Sequence, residues 1–176
     1  MGLANILIVT LFWPWLTYAT EGVRPGVVQQ VDNSAMSFGF ASGRANITRH
    51  LDGHYIEISV KTSDAKIMPY REGFRWGGEE AEAPATLVTL IVVQRDAKKL
   101  FVPLSAYSDL GNPRRVYLKG SVSGFEVRIA GGDAGTAYNA SLVFENEFLV
   151  RRRVTHGEFP GEAWEETHYA YNTLNN

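Results

Sequence analysis

No cysteine occurs among the 176 residues. Disulfides, thiolate zinc sites, iron–sulfur clusters and cysteine nucleophiles are therefore excluded. Charge of one sign is missing too: 17 Lys and Arg face 19 Asp and Glu, a net charge of −2. A dedicated nucleic-acid binder is usually strongly basic, so this balance speaks against one. Disorder goes with low hydrophobicity and high net charge, and a chain that is 45% hydrophobic has neither. Beyond Glu21 no stretch keeps a helical period. What is present has the length of one domain, at roughly 100–200 residues each. Such a domain buries about two thirds of its unfolded surface and needs no metal or disulfide.

One long apolar run exists, Leu3 to Ala19, LANILIVTLFWPWLTYA, with no charge in it. Pro14 breaks a helix near its end, and Thr17-Tyr18-Ala19 has the small-x-small form of a cleavage signal. The run predicts a secretory signal peptide over residues 1–19 and a single all-β domain over 20–176. It departs from the pattern in having no Lys or Arg before the apolar core. The alternative is an uncleaved anchor, with membrane contact only through residues 3–19. Seventeen residues at 1.5 Å each span about 26 Å, slightly short of a ~30 Å hydrocarbon core. Export places the domain in the periplasm or outside the cell, where disulfides normally form. A cysteine-free exported core suits a bacterial envelope protein better than a eukaryotic secreted one.

The remaining sequence reads as strands. Arg44 to Lys61 alternates around Asp52-Gly53, a pair suited to a type I′ turn with positive φ at both positions. That turn pairs Leu51 with His54, Arg49 with Ile56, Ile47 with Ile58 and Ala45 with Val60, and gathers the apolar residues on one face. Val116 to Ile129 makes a second hairpin about Val122-Ser123, with Lys119 opposite Glu126. Thr86 to Arg95 is apolar on both faces and predicts a central strand covered on both sides. The strand that follows, Leu100 to Leu104, is an edge or stops pairing at Pro103, which has no N–H. Asn139–Glu145 and Phe148–His156 pair across Asn146, and Ala163–Tyr171 is the last strand. About eight to ten strands built as consecutive hairpins predict an antiparallel β-sandwich, with a closed β-barrel as the alternative.

Few residues combine into a chemical site. His50 and His54 fall on opposite strand faces, while His156 and His168 lie on neighbouring strands near the chain end and could face each other. None has the spacing of a metal motif, so no metal or cofactor is expected. Arg151-Arg152-Arg153 is the only basic run. Only Arg151 and Arg153 share a face, and Glu162, Glu165 and Glu166 offer cross-strand partners. A solvated charge ladder is the expected role, an anion or acidic-glycan contact the alternative. Gly131 to Thr136 lacks the order of a phosphate loop and predicts a flexible connection. Gly120-Ser121-Val122-Ser123-Gly124 lacks the order and context of a nucleophile elbow. Asp109 to Pro113 is a turn with no chemistry attached. Asn46 and Asn139 begin glycosylation sequons.

The longest stretch without strand character is Tyr70 to Pro84, YREGFRWGGEEAEAP. Loops of this length inside compact domains often carry function. Tyr70, Phe74, Arg75, Trp76, Glu79 and Glu80 are the candidate binding residues, because aromatic and arginine side chains supply most contact energy at interfaces. The expected function is an exported, non-enzymatic binding or assembly module that meets a protein or carbohydrate partner at the cell envelope through loops, with no nucleic acid involved. Two alternatives stand beside it. One is an extracytoplasmic hydrolase using carboxylates such as Glu79, Glu80 or Glu82, for which adjacent solvated glutamates are a poor match. The other is a small apolar-ligand carrier with a cavity inside a barrel.

Overall fold

The computed structural model describes residues 36–65 and 83–171. The signal peptide expected over residues 1–19 lies outside them. The described chain forms β1 (Met36–Gly39), β2 (Arg44–Leu51), β3 (His54–Asp64), β4 (Thr86–Arg95), β5 (Lys98–Leu100), β6 (Pro113–Ser121), β7 (Gly124–Gly131), β8 (Tyr138–Glu145), β9 (Phe148–His156) and β10 (Ala163–His168). These make two antiparallel sheets, one in the order β1-β6-β7-β8-β9-β10 and one in the order β2-β3-β4-β5. The sheets pack face to face as a sandwich. They do not close into a barrel, because the six-stranded sheet ends at β1 and β10 and the four-stranded one at β2 and β5.

Turn chemistry and alternation set the registers. The β2–β3 hairpin turns at Asp52 (φ 47°) and Gly53 (φ 82°), both left-handed, and pairs Leu51 with His54 through to Ala45 with Val60. The β6–β7 hairpin pairs Val116 with Ile129, Leu118 with Val127 and Lys119 with Glu126. One face of each strand then meets the opposite sheet. Ile47, Ile56, Ile58, Val60, Val93, Leu118, Val127, Ile129, Leu142 and Phe144 are buried together, and Phe125 stacks on Phe144 at 4.8 Å. Tyr138 is buried among them and donates its hydroxyl hydrogen to the Gly111 carbonyl at 2.7 Å. Burying an aliphatic side chain of this kind contributes about 1.5–3 kcal/mol.

Five expectations are corrected by the structure. β4 is central in its sheet, but Leu90 and Val92 are only half-buried while Val88, Ile91 and Val93 are buried. The four-stranded sheet faces a partner sheet on one side alone. The last strand ends at His168 rather than Tyr171. His156 and His168 do not face each other: His156 pairs with Tyr138, and His168 pairs with Arg151 towards the far end of β9. The connection after β7 closes on itself. The Asp133 side chain accepts the Ala134 N–H at 2.9 Å, while Thr136 Oγ1 accepts the Asp133 N–H at 3.1 Å. The strand before Pro103 is an edge, as expected, but it covers Lys98–Leu100 rather than Leu100–Leu104 and stops short of Pro103.

Candidate functional site

Tyr70, Phe74, Arg75, Trp76, Glu79 and Glu80 lie outside the described residues. The points where their segment leaves and rejoins the sandwich are described. Ala65 N–H donates to the Ala85 carbonyl at 3.0 Å, so the two ends are tied together. Next along β4, the Thr86 carbonyl accepts the Asn112 N–H at 2.8 Å, and the Asn112 side chain accepts the Thr86 N–H at 3.1 Å. The Asn112 carbonyl accepts the Gly132 N–H at 3.2 Å, and the Ala137 carbonyl accepts the Gly157 N–H at 2.7 Å. Residues 65, 85, 112, 132, 137 and 157 thus form one hydrogen-bonded end of the sandwich. Asn112 adopts a left-handed backbone (φ 43°), which lets main chain and side chain both point at Thr86.

The opposite end gathers the tight hairpin tips. Arg95 donates to the Asn146 carbonyl at 2.6 Å, and Lys98 pairs with Glu147, so both contacts cross between the sheets. Asp96 accepts the Tyr55 N–H at 2.8 Å and lies 2.6 Å from His54 Nδ1. The Tyr55 backbone donor, then His54, holds the Asp96 carboxyl below its ordinary range. These groups line an open cleft of about 500 Å³. Each has a protein partner, so the cleft reads as a set of inter-sheet ties. It is a surface recess, not the enclosed apolar cavity that a carrier requires.

Arg152 is the feature that sequence reasoning missed. It is 1% exposed, with Nε donating to the Ala106 carbonyl at 3.2 Å, Nη2 to Asp109 at 2.6 Å and Nη1 to Glu165. A bulge at Val150 lets Leu149, Arg152 and Val154 all turn inward. The turn at Asp109, read as having no chemistry, is one of the two counterions. Burial raises the Asp109 carboxyl above its ordinary range despite Arg152 beside it. Burial also works against the charges on Glu165 and Arg152. Their mutual contact outweighs it, so Glu165 is lowered and Arg152 raised.

Arg151 and Arg153 turn outward, as alternation predicts. Glu166 lies 3.8 Å from Arg151 and 3.6 Å from Arg153, and His168 lies 3.0 Å from the same carboxylate. His156 serves a structural purpose: its ring accepts the Glu158 N–H at 3.0 Å and packs edge-on against Trp164 at 5.3 Å. Among the described residues no group of three His, Asp or Glu side chains is placed to hold a metal ion. No protein-family model, curated protein or solved structure matches the chain.

Proposed function

We propose that the chain is an exported, non-enzymatic binding or assembly module that contacts a glycan or protein partner at the cell envelope through its loops. The observation that carries this reading is the tied end of the sandwich. A rigid scaffold that presents connections from one fixed end is the arrangement by which sandwich domains place contact residues. The Ala65–Ala85 bond fixes the base of the segment holding Tyr70, Phe74, Arg75, Trp76, Glu79 and Glu80, beside the Asn112 and Gly132 backbones. At the hairpin-tip end, Arg95, Lys98 and Glu147 are taken up in ties between the sheets, which favours the loop end for contacts. The apolar run Leu3–Ala19 supports export, with retention as an anchor the alternative.

The test uses the full chain against isolated envelope polysaccharide and protein fractions. Trp76→Ala is expected to abolish capture, while Glu80→Gln leaves it intact. Retained capture by Trp76→Ala overturns the loop assignment. Turnover of the captured material that Glu80→Gln abolishes would make the protein a hydrolase instead.

A further inference from the structure

The outward face of the six-stranded sheet carries a groove that the loop reading does not use. Register aligns Arg128 on β7, Ser141 on β8 and Arg153 on β9 in one row across the strands. Arg151 is the next outward residue of β9, and Asn139 and Thr155 pair in the neighbouring row. Together they line a recess of about 210 Å³ whose only acidic lining residue is Glu126. Glu126 is engaged: it accepts from Arg128 at 3.0 Å and from Ser141. Three guanidinium groups therefore share a surface with two carboxylates: Glu126 and, on the neighbouring β10, Glu166.

Part of this donor set is taken: Arg128 gives both Nε and Nη2 to Glu126, at 3.1 and 3.0 Å. Glu166 lies 3.6–3.8 Å from Arg151 and Arg153, an ion pair without a hydrogen bond. Arg153 Nε is buried and has no hydrogen-bond partner. Its Nη2 reaches only the Gly161 carbonyl, at 3.4 Å. A ligand in the groove cannot reach that buried Nε, but the Arg151 and Arg153 side chains are 43% and 36% exposed, and their terminal N–H groups match a carboxylate or sulfate, whose two oxygens accept in parallel.

We propose that this groove binds a linear acidic polysaccharide laid across β7, β8 and β9. Arg128, Arg151 and Arg153 take its acid groups, and Asn139, Ser141 and Thr155 take its hydroxyls. Alternating guanidinium with amide and hydroxyl side chains suits a chain that carries both acids and hydroxyls. A polyphosphate is disfavoured by the net charge of −2, because nucleic-acid affinity rests on many phosphate contacts and long-range attraction. The proposal draws on none of residues 70–80 and stands or falls independently of them.

Affinity electrophoresis of the full chain through gels containing polygalacturonate tests the proposal, with dextran gels as the neutral reference. The expected result is retardation by polygalacturonate alone. Arg151→Gln/Arg153→Gln is expected to weaken it about tenfold or more. Arg44→Gln, an exposed change on the other sheet, leaves it unchanged. Because Arg153 also touches neighbouring backbone, Arg128→Lys serves as a second variant. It keeps the charge and removes the fork, and should weaken retardation without loss of folding by circular dichroism. Absence of retardation overturns the proposal, as does equal weakening by Arg44→Gln. So does tighter binding of a single-stranded oligonucleotide than of polygalacturonate.

Discussion

Position 152 holds a guanidinium where its strand neighbours place valine and leucine against the core. Removing one member of a buried, hydrogen-bonded pair costs about 3–5 kcal/mol, because the other charge is left behind. Arg152→Met is therefore expected to lower stability by about that amount in urea unfolding. Asp109→Leu added to it should recover part of the loss, since the stranded carboxylate then goes. The network also sets a pH dependence. Glu165 lies below its ordinary value of 4.5 in the folded chain, so its stabilisation is full above 4.5 and is lost as pH falls through the folded value. Asp109 has the opposite sign. Its raised folded value favours the protonated form, a contribution present below 3.8 and lost as pH rises through that raised value. Glu165→Gln is expected to flatten the acid side of the stability curve measured from pH 6 downward. An unchanged acid slope would show that Glu165 is not coupled to folding. Half of the Arg152 feature was legible beforehand. Alternation puts Arg152 on the face of Val154, which is the core face. Its partner Asp109 was not legible, because it stands 43 residues away on a connection that no hairpin pairing places.

At the scale of strands and turns the sequence is far more informative. Asp52-Gly53 and the alternation around it leave one register that buries a single set of residues, and that register forms. The same reasoning holds for Val116–Ile129 and for the β8–β9 hairpin, which turns at Asn146 (φ 54°). Bulges were not legible: Thr89 and Val150 each lack a partner in the neighbouring strand, and nothing in the composition marks them. Close backbone approach is a related hidden constraint. A Cβ at Gly124 would lie 2.1 Å from the Phe144 carbonyl oxygen of the neighbouring strand. Backbone cannot yield as a flexible side chain can. Gly124→Ala is therefore expected to cost about 1–3 kcal/mol or more, read from the thermal midpoint. Gly53→Ala meets open space, so its cost is confined to the positive φ of 82°.

Over the whole molecule, a cysteine-free sandwich must be held by packing and strand pairing alone. Its strands then differ in protection according to how many neighbours they have. β7 and β8 lie in the middle of the six-stranded sheet and should hold the slowest-exchanging amides. β1, β2, β5 and β10 are edges and should exchange first, a ranking that hydrogen exchange by mass spectrometry reads directly. The fold class was legible because every turn signal agreed with the strand period. The candidate loop was legible only as an absence of period, which names residues but no geometry. The groove on β7–β9 was half legible: Arg151 and Arg153 were paired on one face, but their meeting with Arg128 required the order of the sheet. Binding without chemistry at the binding surface is what unites these readings, and one assay addresses it. The full chain is incubated with polygalacturonate and with isolated envelope polysaccharide, and new reducing ends are measured over time. Retention of the polysaccharide with no new reducing ends is the expected result. New reducing ends formed by the wild-type chain, and lost in Glu80→Gln, would contradict it.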